Sequence, residues 1–285
     1  MIYLALSIFC SVIVGVLLKL AKRYQIGIAQ TITWNYLFAI GLSLFFFRPA
    51  INVLNLSSIQ AIHVLLGVLL PTIFIFLALS VQRTGLARTD IAQRLSLFIS
   101  LLGAFFIFNE NYSTLKYFGV AIGFLAIIFT VYRKSTTQVN NTDWLYPLLV
   151  FIGFGVIDVC FKLISQYTPL PYTTSLFIIF CIAFLLSLGY IVYLAVIKKV
   201  KLQLINFICG CILGFFNFGN ILFYMKAHRA MANDPSTVFA AMNIGVIIFG
   251  SLIGILVFKE KLTKLNYLGL TLALLSIILI TLASY

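Results

Sequence analysis

Apolar residues run through this chain in stretches of about 20, broken by short clusters of charge, Gly, Pro, Asn and Ser. Such a run suits a helix crossing about 30 Å of hydrocarbon, whereas the strands of a membrane barrel would alternate apolar and polar at every second residue. Dividing the chain at its polar clusters predicts an all-α membrane protein with ten spans, near 2–21, 27–47, 57–80, 86–108, 114–132, 144–163, 172–197, 203–226, 235–258 and 264–283. The longest connection, RKSTTQVNNTD at 133–143, separates five spans from five. The organisation is therefore a first half at 1–134, a polar linker at 135–143 and a second half at 144–285. The first run is expected to stay in place. It lacks a basic leader and a small-residue cleavage site, and Lys22-Arg23 follow it like a stop-transfer flank.

Composition narrows the class. Of 285 residues, 63% are hydrophobic and 9% charged, and the mean hydropathy is +1.15. Soluble domains run near 45–50% and 25%, so a soluble enzyme, a nucleic-acid module and a disordered chain are excluded. The net charge of +13 sits at the ends of apolar runs rather than on one compact face. Twelve of the nineteen Lys and Arg fall in odd-numbered connections, four in even-numbered ones and three within spans. The positive-inside rule then puts the odd connections in the cytosol and both termini on the other side of the cell (inner) membrane. All five cysteines lie in apolar runs and read as buried small hydrophobes, without a disulfide, metal or other cofactor.

Internal repetition adds the next constraint. A shift of 150 residues aligns FNENYSTLKYFGVAIGFLAII (108–128) with FKEKLTKLNYLGLTLALLSII (258–278). Phe108/Phe258, Glu110/Glu260, Tyr117/Tyr267 and Gly119/Gly269 coincide, and Lys19 and Lys162 add a fainter echo near the ends of spans one and six. Five spans per copy, an odd number, forces the two copies into opposite orientations. With these residues the chain resembles the drug/metabolite transporter superfamily, in its bacterial ten-helix branch of paired EamA-type repeats. The resemblance implies two inverted five-helix halves and transport as the activity, and it is silent on substrate. Span four, TDIAQRLSLFISLLG, departs from the family pattern, having no proline and an added Arg94.

Ionisable groups inside a bilayer are costly and mark function. Arg94 lies eight residues beyond Leu86, roughly 12 Å deep at 1.5 Å per residue, and Asp90 precedes it by one turn on the same face. The two form either a self-contained ion pair at an entrance or, with the cation turned inward, an anion contact. Gln93 corresponds under the repeat to Asn243, as matched amides on two sides of one pocket would. Asp158 and Lys162 form a second acid-first pair in span six; snorkelling accounts for Lys162, while Asp158 either neutralises it or carries a coupling proton. Lys19, Asn35, Asn217, Asn220 and Tyr224 complete the candidate substrate contacts, with Gly214 and Gly219 opening a stripe beside the amides and Trp34 as a second aromatic wall. Pro71 is expected to kink span three. Asn233-Asp234-Pro235-Ser236 reads as the cap and first turn of span nine. Glu110 and Glu260 read as architecture, pairing with the turn or capping the helix that follows.

No HExxH, GxSxG, Walker loop or DxxxD-type cluster is present in the sequence. The expectation is therefore not an enzyme but a secondary active or facilitative transporter of a small polar metabolite, anionic or zwitterionic, such as an amino or organic acid. Its site would lie among spans one, three, four, six, eight and nine, with spans five and ten packing the halves together or dimerising. Partners are a small-molecule substrate, membrane lipids and coupling protons, with no nucleic acid, in a monomer or homodimer. The alternatives are an exporter of amphipathic drugs or flippase of a lipid intermediate and, in another class, a membrane-embedded lipid-modifying enzyme using Asp158 or Asp90.

Overall fold

The structure is a computed structural model that describes residues 2–24, 26–49, 59–84, 86–110, 113–131, 143–257 and 263–283. Among them are eleven helices and no strand: α1 (Ile2–Arg23), α2 (Ile28–Phe47), α3 (Ala61–Thr84), α4 (Leu86–Leu95), α5 (Leu97–Phe106), α6 (Thr114–Val131), α7 (Leu145–Tyr167), α8 (Tyr172–Val196), α9 (Leu204–Ala230), α10 (Pro235–Leu256) and α11 (Lys264–Leu282). Linker residues 135–142, together with Phe258, Lys259 and Glu260, fall outside the described residues, as do the side chains of Lys19 and Asp90.

Six helices, α2, α3, α7, α8, α9 and α10, contain segments long and apolar enough to cross a membrane. Shorter apolar helices occupy 2–18, 92–106, 114–129 and 264–280. Polarity is turned inside out relative to a water-soluble fold. Ser7, Thr33, Asn35, Ser43, Ser100 and Ser276 are buried, while Phe45, Phe106 and Leu185 stand exposed on the outer surface. With apolar side chains facing outward and, Ser43 aside, these polar groups hydrogen-bonded within, the chain is a multi-pass membrane protein.

The expected span 86–108 is interrupted. At Ser96 the hydroxyl donates to the Gln93 carbonyl at 2.6 Å and the Ile99 N–H bonds the Ser96 carbonyl at 2.9 Å, a tightened turn that separates α4 from α5. Serine back-bonding thus breaks the span locally where it carries no proline. Pro71, by contrast, lies inside the single helix α3. There the Thr72 hydroxyl donates to the Val68 carbonyl at 2.7 Å and Leu69 at 3.1 Å.

Contact pairs fix the helix directions. α1 runs antiparallel to α9, matching Tyr3 with Lys226, Ser7 with Asn220 and Cys10 with Gly219. α3 runs antiparallel to α7, matching Ile73 with Gly153 and Arg83 with Asp143. α2 is parallel to α9 (Gly27 with Asn206, Thr31 with Gly210, Asn35 with Gly214), and α3 is parallel to α8 (His63 with Ser175, Gly67 with Ile182). Finally α6 and α11 run antiparallel. Gly119 meets Ile280, Ser276 donates to the Gly119 carbonyl at 2.7 Å, and Asn266 donates to the Phe129 carbonyl at 2.9 Å. These two helices pack against each other within one chain, which gives them the first of the two roles expected for spans five and ten.

The approach of α2 to α9 is the closest in backbone terms. Gly210 and Gly214, four residues apart, lay one face of α9 on the α2 backbone at Thr31 and Asn35. Gly214 therefore serves helix contact and not a ligand stripe, because small residues allow two helices to approach where side chains would hold them apart.

Candidate functional site

A cavity of about 120 Å³ lies in the middle of the bundle, bounded by α1, α3, α4, α7, α9 and α10 and by Ser96 at the α4–α5 break. It gathers Gln93, Arg94, Asp158, Asn217, Asn220, Tyr224 and Asn243, with Ser11 and Ser96 beside them and Phe74, Phe154, Phe161 and Met242 among the apolar walls. Four amides, one cation, one carboxylate and one phenol thus face a single space between apolar helices.

Asp158 is held from two sides. Ser100 of α5 donates to its Oδ2 at 3.0 Å, and the Tyr224 hydroxyl of α9 donates to its Oδ1 at 3.1 Å. The Arg94 guanidinium acts on it electrostatically across the cavity. The Asn243 amide of α10 is a third hydrogen-bond partner, and because a carboxylate has about four acceptor sites these three leave one for a cationic ligand. Asn220 accepts from Ser7 at 2.9 Å through its carboxamide oxygen, which leaves its NH₂ as the group offered to the cavity. Asn243 donates to the Phe239 carbonyl one turn back at 3.1 Å. Asn217 donates to Asn35 Oδ1 at 3.2 Å. Asn35 is accordingly a buried support behind Asn217 and does not line the cavity, a correction forced by the tight α2–α9 contact.

Three further expectations fail on geometry. Asp158 and Lys162 share a helix face in sequence but make no ion pair here: the carboxylate turns to Ser100 and Tyr224, and Lys162 Nζ donates to the Ala232 carbonyl at 2.7 Å. Nor does Lys162 snorkel, since it is 0% exposed and its ammonium lies 5.7 Å from the centre of the Phe108 ring. Trp34 is no cavity wall; it packs edge-on against Phe207 between α2 and α9.

Glu110 proves to be more than a turn residue. Its carboxylate pairs with Lys116 and receives the Ser236 backbone N–H at 2.9 Å and the Ser236 hydroxyl at 2.6 Å. It therefore caps α10, from the other half of the sequence, and not the helix that follows it. Asp234 occupies the cap position of α10 without capping it, and accepts instead from Lys116 at 3.1 Å.

Sequence reasoning passed over Ser100, because a serine in an apolar run usually bonds its own helix. It also passed over His228, which resembles an interfacial flank beside Arg229 but is 0% exposed, its ring 4.7 Å from those of both Tyr224 and Phe239. Among the described residues no group of His, Cys, Asp and Glu is arranged to hold a metal ion. A second hollow of about 300 Å³ lies between α5 and α6, lined by Phe98, Leu102, Phe105, Phe106, Tyr117 and Phe124 with their apolar neighbours. It lacks the charged groups of the central site.

No family model matches the chain. A protein of Haemophilus influenzae (strain ATCC 51907 / DSM 11121 / KW20 / Rd), described as an uncharacterized protein, is 40% identical over 279 residues, covering 95% of this chain and 94% of that one. A solved crystal structure shares the fold with a TM-score of 0.72 over 98% of both chains at 12% identity.

Proposed function

The chain belongs to the same family as the Haemophilus influenzae protein, and we propose that it is a secondary transporter of a small polar metabolite, working by alternating access. In this reading α4 and α5 together form one crossing, so the bundle crosses the membrane ten times, as in the drug/metabolite transporter superfamily. The helix directions support two inverted halves: α6 and α11, equivalent under the 150-residue shift, run antiparallel. The pairs α1–α9 and α2–α9 have their exchanged counterparts in α7–α3 and α8–α3, with the same relative directions. Binding at the interface between repeats, near the middle of the bilayer, is the arrangement alternating access requires.

The observation that carries the reading is the cavity with Arg94 and Asp158 among four amides. Burying a cation at such depth costs about 2.5–3.5 kcal/mol on insertion scales. That cost is sustained where the charge meets a ligand or a hydrated space. Arg94 would take a carboxylate, Asp158 an ammonium, and Tyr224 with the amides would fix the orientation, which suits a small zwitterion. Drug-sized ligands occupy about 300–1,000 Å³, so a central cavity of about 120 Å³ favours a small substrate. The aromatic hollow between α5 and α6 supports the second reading, in which an amphipathic drug or lipid enters from the side.

The test is a thermal-shift screen of amino and organic acids on the purified protein, followed by counterflow of any stabilising compound in proteoliposomes. Arg94→Ala should fold and insert yet lose transport of carboxylate substrates. A charge-assisted contact is worth about 1.5–3 kcal/mol, or roughly 10–150-fold in affinity. Wild-type counterflow by Arg94→Ala removes Arg94 from the mechanism. Turnover of a lipid by the pure protein would select the enzyme reading instead.

A further inference from the structure

Below the cavity, towards the end of the bundle that carries the N-terminus of α10, the interior is closed in two layers. Tyr224, His228 and Phe239 form the upper layer, with ring centres 4.7 Å apart at each step, and His228 and Phe239 are 0% exposed. The lower layer is ionic. Lys116 of α6, 2% exposed, pairs with Glu110 and with Asp234, and Glu110 also holds Ser236 through its N–H and hydroxyl. Lys162 grips the same α9–α10 turn through the Ala232 carbonyl.

Two properties set this cluster apart from an ordinary capping contact. Every link from Glu110 and Lys116 to Asp234 and Ser236 joins the first half of the sequence to the second, so the cluster ties together the parts that must separate for this end to open. The two copies of the repeat also differ here. Under the repeat Lys116 becomes Asn266, an uncharged amide bonded to Thr263 and to the Phe129 carbonyl. The Asp234 side chain retains 34% exposure, which gives water a point of entry.

We propose that the Glu110–Lys116–Asp234–Ser236 network is the latch that closes the cavity at this end, and that it opens by hydration of the buried ion pair. The proposal rests on the alternating-access reading above. A buried pair resists loss of one partner because the other charge is stranded without solvent. It separates only when water reaches both groups together. The latch is therefore stable shut or fully wet, the two-state behaviour a gate needs.

The experiment reads access to Ser11, which lines the cavity on α1. Ser11→Cys is placed in a background with the five native cysteines replaced, reconstituted in vesicles, and labelled with a membrane-impermeant thiol reagent from each face in turn. Glu110→Gln and Lys116→Met should each raise the labelling rate from the latch face by at least about tenfold, since biasing a two-state equilibrium by one decade suffices for that. Ser236→Ala, a milder change that keeps both charges, should raise it less. Unchanged latch-face labelling in all three variants, with Ser11→Cys still labelled from the opposite face, overturns the latch and leaves the transporter reading standing. Failure to label Ser11→Cys from either face in any variant overturns both.

Discussion

Replacing either glycine at the α2–α9 crossing by alanine tests whether backbone proximity holds the candidate site together. A methyl on residue 210 would lie 2.5 Å from Trp34 Cβ and 2.9 Å from the Thr31 carbonyl oxygen; on residue 214 it would lie 2.7 Å from the Asn35 carbonyl oxygen. Backbone atoms cannot rotate out of the way, so the helices must part. Overpacking costs about 1–3 kcal/mol, while exchanging a helix-interior Gly for Ala returns about 0.8–1 kcal/mol. The packing term matches or exceeds the gain, and Gly210→Ala or Gly214→Ala should lose up to about 2 kcal/mol. At Gly15 and Gly189 nothing lies within 4 Å of the added carbon. Only the propensity gain remains there, so Gly189→Ala should be neutral or stabilised by up to about 1 kcal/mol. At about 2–4 °C per kcal/mol, thermal unfolding of the purified protein in detergent should separate the two sets by several degrees in opposite directions. Separation of α2 from α9 would also stretch the Asn35–Asn217 bond and shift Asn220 and Tyr224, so counterflow should fall with stability in the Gly214 variant and not in the Gly189 variant. If Gly210→Ala melts no lower than Gly189→Ala, the reasoning from backbone contact is wrong.

Three smaller effects follow from the same geometry. Ser276→Ala removes the 2.7 Å bond from α11 to the Gly119 carbonyl; side-chain hydrogen bonds between membrane helices average about 0.6 kcal/mol, so unfolding should shift by a degree or two and no more. Asp143→Asn breaks a 3.6 Å contact to Arg83, whose side chain is 54% exposed. Such pairs are worth about 0–1 kcal/mol, and its melting temperature should stay close to that of the wild type at any ionic strength. Reporter fusions at the C-terminus should be active outside the cytosol, as the distribution of Lys and Arg requires; cytosolic activity would reverse the orientation and the side on which the latch opens.

Residues that a bilayer penalises were legible because the penalty depends on the residue itself. Arg94, Asp158, Gln93, Asn217, Asn220 and Asn243 each announce a polar environment wherever the helices go, and the fold gathers all six around one cavity. Apolar run length located the helices for the same reason, as a property of each segment alone. Partners were another matter. Helical spacing suggested Lys162 for Asp158, yet Ser100 lies 58 residues before it in the chain and Tyr224 lies 66 residues after it. Spacing along one helix names a neighbour that is always available, and tertiary contact replaces it whenever a better donor is brought close.

The recurrence of Glu110 at position 260 was equally visible, but its meaning depended on a residue that does not recur. Lys116 is buried against Glu110 and Asp234, and Glu110 takes the N–H and hydroxyl that Ser236 presents from the other half. The Glu110–Lys116 pair lies within the first half, while the contacts to Asp234 and Ser236 exist only once the two halves are docked. A repeat conveys what two copies share, which is architecture. In the proposed alternating-access reading, any bias to one side must come from positions where the copies differ, and Lys116 against Asn266 is such a position.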